Sequence, residues 1–272
     1  MDITTLAARL PAGTVITDSD ILAGYRHDRA LDPAAGTPVA LVRPTTTEHV
    51  SIVTGWADEH RVALIPRGAG TGLSGGATAQ DGALMVTTER MREITVDPVT
   101  RTAVTQPGLL NAEVKRAAAE HGLWYPPDPS SFEICSIGGN AATNAGGLCC
   151  VKYGVTTDYI LAMEVVLADG SVVRLGGPRL KDSAGLSLTK LFVGSEGTLG
   201  IITEARLRLH PAPRRERRAA WLLGSFEVGL DAMRRIIQRG ATPAVLRLYD
   251  AAEADRTYRT GDLALLLALD EG

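Results

Sequence analysis

PRGAGTGLSGG, residues 66–76, is the stretch on which the reading of this chain turns. It follows the apolar run 62–65, which reads as a buried strand, and it contains Gly70, Gly72 and Gly75 in a G-x-G-x-x-G spacing. A dinucleotide fold of the Rossmann kind needs a helix opening at such a loop, with the helix N-terminus on the pyrophosphate. Here only GATAQDG, residues 76–82, separates the loop from the next strand at 82–87, which leaves no room for that helix. The loop therefore belongs to some other phosphate-binding architecture.

Two more glycine-dense stretches follow: PDPSSFEICSIGGNAATNAGG (127–147) and GSEGTLGII (194–202). Glycine tolerates positive φ and close backbone approach, and successive N–H groups then form a concavity that holds an anion. The loops interleave Ser, Thr and Asn donors and carry no Lys, which points to a long cofactor bearing a polyphosphate, a dinucleotide bound along its length. Gly70 and Gly139 are expected at positive φ.

The chain has 272 residues, 45% hydrophobic and 22% charged, with a formal charge of −3 and a pI near 6.0. These values fit a soluble globular protein and advertise no basic face for nucleic acid. No stretch approaches the roughly 20 apolar residues of a membrane span, and the N-terminus lacks a signal-peptide pattern. Three cysteines, two of them adjacent (Cys149, Cys150), make no disulfide framework, and the cytoplasm is the expected compartment. The five histidines are scattered, so no metal site is expected.

The expected elements are a strand at 38–42 and a helix opened by Thr47 and Glu48 with Val50, Val53, Trp56 and Ala57 on one face. Strands at 94–97 and 102–105 come next, then a helix at 110–121 with Gly122 as its left-handed C-cap. An Asp-Gly hairpin spans 163–174 and an alternating strand 199–209. Pro211 and Pro213 break the pattern, the arginines 214, 215, 217 and 218 read as a solvated linker, and a strand–helix–strand–strand series follows from 220 to 269. This gives an N-terminal helical segment (1–37), a cofactor domain (38–213) and the beginning of a second domain (214–272). The chain stops as a strand finishes, which reads as a fragment of a longer protein.

Six motifs in order carry a family resemblance: PRGAGTGLSGGA (66–77), QPG (106–108), PDPSS (127–131), SIGGNAATNAGG (136–147), KYG (152–154) and VGSEGTLGIIT (193–203). The sequence resembles the FAD-linked oxidases of the vanillyl-alcohol-oxidase type, which carry a PCMH-type FAD-binding domain, in the branch of the glycolate oxidase FAD subunit and D-lactate dehydrogenase. The resemblance implies an α+β fold of two subdomains that hold FAD, followed by the start of a ferredoxin-like cap. It implies that Pro66, Arg67, Gly68, Ala69, Gly70, Thr71, Gly72, Ser74 and Gly75 wrap the pyrophosphate. Asp128, Ser131, Ser136, Gly138 and Gly139 would run past the ribityl chain and flavin, with Thr143, Asn144, Ala145 and Gly146 beside the diphosphate. Glu196, Gly197, Gly200, Ile201 and Ile202 would hold the adenosine end, and Pro107, Gly108 and Asn140 complete the cofactor-binding set.

Relatives with covalent FAD carry histidine in the first loop where this chain has Thr71, so the FAD is expected to be non-covalent and Cys135 to be a buried thiol. The implied reaction is oxidation of a 2-hydroxy acid such as glycolate or D-lactate, with hydride passing to flavin N5 while a side-chain base takes the hydroxyl proton. The resemblance puts the family's histidine cluster in the later part of the cap, so no catalytic residue is nominated within 1–272. The electron acceptor would be a quinone, an electron-transfer protein or another subunit, in a homo- or hetero-oligomer. The protein could also lie at the inner membrane through a partner. Two other classes compete: an FAD enzyme of the alkylglycerone-phosphate-synthase kind, supported by Arg247 as a substrate ligand, and a non-catalytic FAD-binding subunit of a larger oxidase.

Overall fold

Residues 2–181 and 183–271 are described by a computed structural model. In chain order the elements begin with α1 (Thr4–Ala7), β1 (Val15–Ile16), α2 (Ser19–Ala23), β2 (Ala40–Val42), α3 (Thr47–Glu59), β3 (Leu64–Arg67) and β4 (Leu84–Thr87). Then come β5 (Ile94–Asp97), β6 (Thr102–Thr105), α4 (Asn111–Ala119), β7 (Leu123–Trp124), α5 (Ile137–Thr143), α6 (Cys150–Tyr153), β8 (Ile160–Val166) and β9 (Val172–Gly176). The rest are α7 (Thr189–Phe192), β10 (Ile201–Arg208), β11 (His210–Pro211), β12 (Glu216–Leu223), α8 (Phe226–Gln238), β13 (Val245–Tyr249), α9 (Ala251–Tyr258) and β14 (Ala264–Glu271).

The chain forms two units: Met1–Tyr125, Ser131–Ala145 and Thr156–His210 make the first, and Pro126–Ser130, Gly146–Val155 and Pro211–Gly272 the second. Two sheets, of four and five strands, lie in the first unit. In the smaller, of order β1-β2-β4-β3, β2 and β3 both run parallel to β4. Parallel strands buried on both faces read as continuous apolar runs, and LMVT of β4 is buried throughout. Ala40, Val42, Leu84 and Val86 pack with Val50, Val53 and Trp56 of α3. Leu41, Ile65 and Met85 point the other way and pack with Leu22 of α2. The face of α3 expected from its periodicity is thus the buried one, and Thr46 caps the helix by accepting from His49 N at 3.2 Å. No helix lies between β3 and β4 among the described residues, in keeping with the exclusion of a Rossmann loop.

The larger sheet has the order β5-β6-β10-β8-β9 and is antiparallel throughout. Glu164 of β8 joins it to α3. Its carboxylate accepts from Thr47 Oγ1 (2.6 Å), Thr203 Oγ1 (3.0 Å) and Arg174 Nε (2.8 Å) while only 8% exposed. Burial raises its pKa, but these three hydrogen bonds outweigh burial and hold it below the ordinary value. The β8–β9 turn rests on α3, where Ser51 Oγ donates to Gly170 O at 2.5 Å.

In the second unit β14 lies between β12 and β13, antiparallel to both. That order, with α8 between β12 and β13, is the order of the first three strands of a ferredoxin-like sheet, with α9 added between β13 and β14. Gly229 lets α8 close on Leu248 of β13, leaving no space for a Cβ. Arg217 and Arg218 are not linker but belong to β12, paired with Asp270 and Leu269, because β12 is an edge strand whose start can carry charge into solvent. The helix expected to reach residue 121 ends at Ala119, and Gly122, at φ +66°, lies beyond its cap.

Candidate cofactor-binding site

The second glycine loop is not loop throughout. IGGNAAT folds as α5, although two glycines each cost about 1 kcal/mol relative to alanine inside a helix. Two features offset that cost. Ser136 caps the helix, its Oγ accepting from Gly139 N at 3.3 Å, and the absent side chains let neighbours come close. A Cβ on Gly138 would lie 2.5 Å from Pro107 Cβ and 3.2 Å from its Cα, where Gly138 N donates to Pro107 O at 2.8 Å. Gly108 is pinned in turn, since a Cβ there would strike the Thr88 carbonyl. Gly70 takes positive φ (+68°) as expected, whereas Gly139 is helical, and a Cβ there would lie 3.1 Å from Ser136 Oγ.

The first loop lies directly on this helix start. A Cβ on Gly68 would fall 2.5 Å from Ser136 Oγ and 3.3 Å from both N and Cα of Gly139, and Ala69 N donates to Ser136 Oγ at 3.2 Å. The third loop joins from the other end of α5, where Gly194 N and Glu196 N donate to Ala141 O and Ala142 O, each at 2.9 Å. It also meets the first loop. A Cβ on Gly197 would stand 3.1 Å from Pro66 Cγ, and one on Gly76 3.1 Å from Glu196 Oε2. The first and third loops, far apart in sequence, thus converge on one seven-residue helix of the second stretch. Around Thr71 and Ser74 the first loop stays at least partly exposed, Gly75 turns at φ +81°, and a Cβ on Gly72 would meet nothing within 4 Å.

Other expected residues divide by what their groups already do. Thr143 Oγ1 donates to Gly139 O (3.0 Å). Asn144 ends α5 in the left-handed conformation (φ 49°) and accepts from Thr157 N (2.9 Å). Ala145 O accepts from Thr156 Oγ1 (2.7 Å), and Ser131 O from Cys135 N (2.8 Å). The side chains of Ile201 and Ile202 are buried, and both residues pair with β8, while β6 joins β10 only from Ala205 onward. Gly200 sits where a Cβ would come 2.7 Å from Val165 Cγ1. Asp128 and Gly146 belong to the second unit, where Asp128 Oδ1 accepts from Cys149 N (3.0 Å). Arg247, also there, is exposed with its guanidinium 4.7 Å from the centre of the Tyr249 ring.

Arg67 is turned onto backbone carbonyls: Nη1 donates to Ala77 O (3.1 Å) and Nη2 to His27 O (2.9 Å). Burial lowers its pKa, opposed by the nearby carboxylates of Asp28 and Glu89. Cys135 is 2% exposed and burial pushes its thiol up, against hydrogen bonds from Asn140 and Ser131. The reading from sequence passed over Asp28, which is 4% exposed and bonded to the first loop. No local motif marks it, because an acidic residue between His27 and Arg29 reads as surface. Among the described residues no cluster of His, Cys, Asp or Glu could hold a metal ion, and no helix is long and apolar enough to cross a membrane.

Parallel strands joined through a helix-free glycine loop, with two further loops locked to a capped short helix, define an α+β dinucleotide-binding domain distinct from the Rossmann class. A family model described as "FAD binding domain" matches residues 38–176, and the chain belongs to that family. It is 44% identical over 214 residues to the glycolate oxidase subunit GlcD of Bacillus subtilis (strain 168), covering 78% of this chain and 46% of that protein. It is 42% identical over 193 residues to a D-lactate dehydrogenase of Archaeoglobus fulgidus, covering 70% and 43%. The chain thus spans about half the length of the curated relatives it matches. An alkyldihydroxyacetonephosphate synthase structure superposes with a TM-score of 0.87 at 23% identity, covering 99% of this chain and 55% of that one, which shows a shared fold. The cofactor is FAD, and the residues present suit it: a Cβ would fill the contact of Gly68 with Ser136 and Gly139, and the loop at Gly72 opens onto free space.

Proposed function

We propose that this chain is the FAD-binding part of an oxidoreductase that oxidises 2-hydroxy acids, with glycolate and D-lactate as the leading candidates. The observation that carries the reading is the convergence of the first and third glycine loops on α5 of the second, joined to relatives named for oxidation of glycolate, D-lactate and D-2-hydroxyglutarate. Residues 38–213 form the cofactor domain in this reading, 1–37 precede it, and 214–272 begin the substrate cap.

The loop Pro66–Gly75 wraps the pyrophosphate, its residues after the proline offering backbone N–H groups, with the Thr71 and Ser74 hydroxyls beside them. Thr143–Gly146 flanks the diphosphate, and Glu196 takes the adenosine ribose while the backbone of Ile201 and Ile202 faces the adenine. Asp128, Ser131, Ser136, Gly138 and Gly139 lie along the ribityl chain and ring, with Pro107, Gly108 and Asn140 behind them. Bound FAD supplies hydride acceptance. The residues of this chain supply placement and a fixed array of dipoles that favours negative charge. The FAD is held without a covalent bond, Thr71 standing at the attachment position. The electrons leave to a quinone, an electron-transfer protein or another subunit, and the protein works in the cytoplasm.

Anaerobic addition of glycolate, D-lactate or D-2-hydroxyglutarate to the purified, FAD-loaded full-length protein tests the reading. Bleaching of the visible flavin band by one of these acids and not by its L-enantiomer, where it has one, is the expected result. An oxidised spectrum with all of them at millimolar concentration would overturn the assigned substrate class.

A further inference from the structure

The first glycine loop is held from outside by a segment that precedes the family match. Residues 25–30 run alongside it and bond to its start, middle and end. At the start, Arg67 reaches out of β3, Nη1 donating to Tyr25 O (3.4 Å) and Ala77 O (3.1 Å) and Nη2 to His27 O (2.9 Å). In the middle, Arg29 N donates to Gly70 O at 3.1 Å, and Gly70 lies on the Arg67 guanidinium so closely that a Cβ would come within 2.7 Å of its Cζ. At the end, the buried Asp28 carboxylate accepts from Ala77 N (3.1 Å) and Thr78 Oγ1 (3.2 Å), and Ala79 N donates to Arg26 O (2.9 Å). Asp28 also fixes its own turn by accepting from Ala30 N at 2.9 Å.

We propose that Asp28 and Arg67 are positioning residues, a clasp that sets the loop 68–77 in its FAD-binding shape before the cofactor arrives. The inference rests on the reading that this loop holds the FAD pyrophosphate. A ten-residue stretch with five glycines (68, 70, 72, 75 and 76) has much conformational freedom to lose on binding. Ordering it in advance removes that cost from the binding step, the general advantage of preorganisation. Arg67 is the only cation of the PRGAGTGLSGG stretch, and its two Nη groups donate to carbonyls of the segment 25–30 and of Ala77. Its contribution to the phosphate is therefore made through the loop. Asp28 matters as a charge as well as an acceptor, since it opposes the desolvation of the part-buried guanidinium.

The test compares wild type with Asp28→Asn, Thr78→Val and Arg67→Lys in the whole chain, using FAD and riboflavin titrations and hydrogen exchange of the apoprotein. Asp28→Asn is expected to weaken FAD binding about ten- to hundredfold, the size of a lost hydrogen bond to a charged group. Riboflavin, which has no phosphate, should keep its affinity. Amides of 68–77 should exchange faster in the apoprotein while those of β8 and β10 keep wild-type rates. Arg67→Lys should act in the same direction, and so should Thr78→Val, more weakly. If Asp28→Asn fails to fold, those two variants decide. Wild-type FAD affinity and wild-type loop exchange in the folded variants would overturn the proposal. Should FAD leave 68–77 unprotected in the wild-type protein, the loop assignment itself fails, an outcome separable from failure of the clasp.

Discussion

Gly68 and Gly139 stand against each other: a Cβ added to Gly68 would lie 3.3 Å from the Gly139 backbone and 2.5 Å from Ser136 Oγ. This contact brings the first glycine loop onto the start of α5 and leaves no room for a side chain at Gly68.

Gly68→Ala and Gly138→Ala should both destabilise the protein by about 1–3 kcal/mol through overpacking, and Gly68→Ala should weaken FAD binding besides. Gly139→Ala places its Cβ 3.1 Å from Ser136 Oγ on helical backbone and should be the mildest of the three. Thermal unfolding and FAD titration of the three variants check the order. A Gly139→Ala variant less stable than Gly138→Ala would contradict it.

Acid precipitation of the purified flavoprotein should release all of the flavin as FAD into the supernatant. Thr71 has no ring nitrogen with which to attack the flavin, and Cys135 is buried with its thiol pushed up by burial, so neither is an attachment point. Flavin retained in the washed pellet would refute this.

Glu196→Ala should weaken FAD by about tenfold, the cost of one ribose hydrogen bond, and leave the affinity for FMN, which lacks the adenosine, unchanged. Titration of both flavins against both proteins reads the difference. Equal losses for the two would remove Glu196 from the adenosine end.

Glu164→Gln should cost about 1–3 kcal/mol at neutral pH, because Arg174 loses its charge partner and one oxygen acceptor is replaced by a donor. The folded-state pKa of Glu164 is depressed below 4.5, so its stabilisation is fully present above that pH and disappears as pH falls through the lower folded-state value. Denaturant titrations from neutral pH down to acid should show the gap between wild type and Glu164→Gln closing below pH 4.5. A gap that stays constant across that range would show that the carboxylate charge is not what β8 uses.

Much of this architecture is written locally. Val50, Val53, Trp56 and Ala57 repeat at helical spacing because one face of α3 is dry. The Asp-Gly pair at 169–170 places its own turn, with Gly170 at φ +85°. The short distance from Gly76 to β4 ruled out a Rossmann helix with no further information. The six ordered motifs carried the family and FAD, because a dinucleotide held by backbone amides demands glycine, and glycine is visible in a sequence.

What the sequence left undecided is what comes near each glycine. IGGNAAT reads as loop from its propensities, yet it is a helix, because Pro107 packs on Gly138 and Gly68 on Gly139 from segments tens of residues away. The same holds for Asp28, an unremarkable acid until the fold brings Ala77 N and Thr78 Oγ1 to its carboxylate across about fifty residues. Backbone permissiveness is a property of a residue and is encoded where it stands. Close approach and the burial of a charge belong to pairs of residues distant along the chain, and only the folded structure determines those pairs.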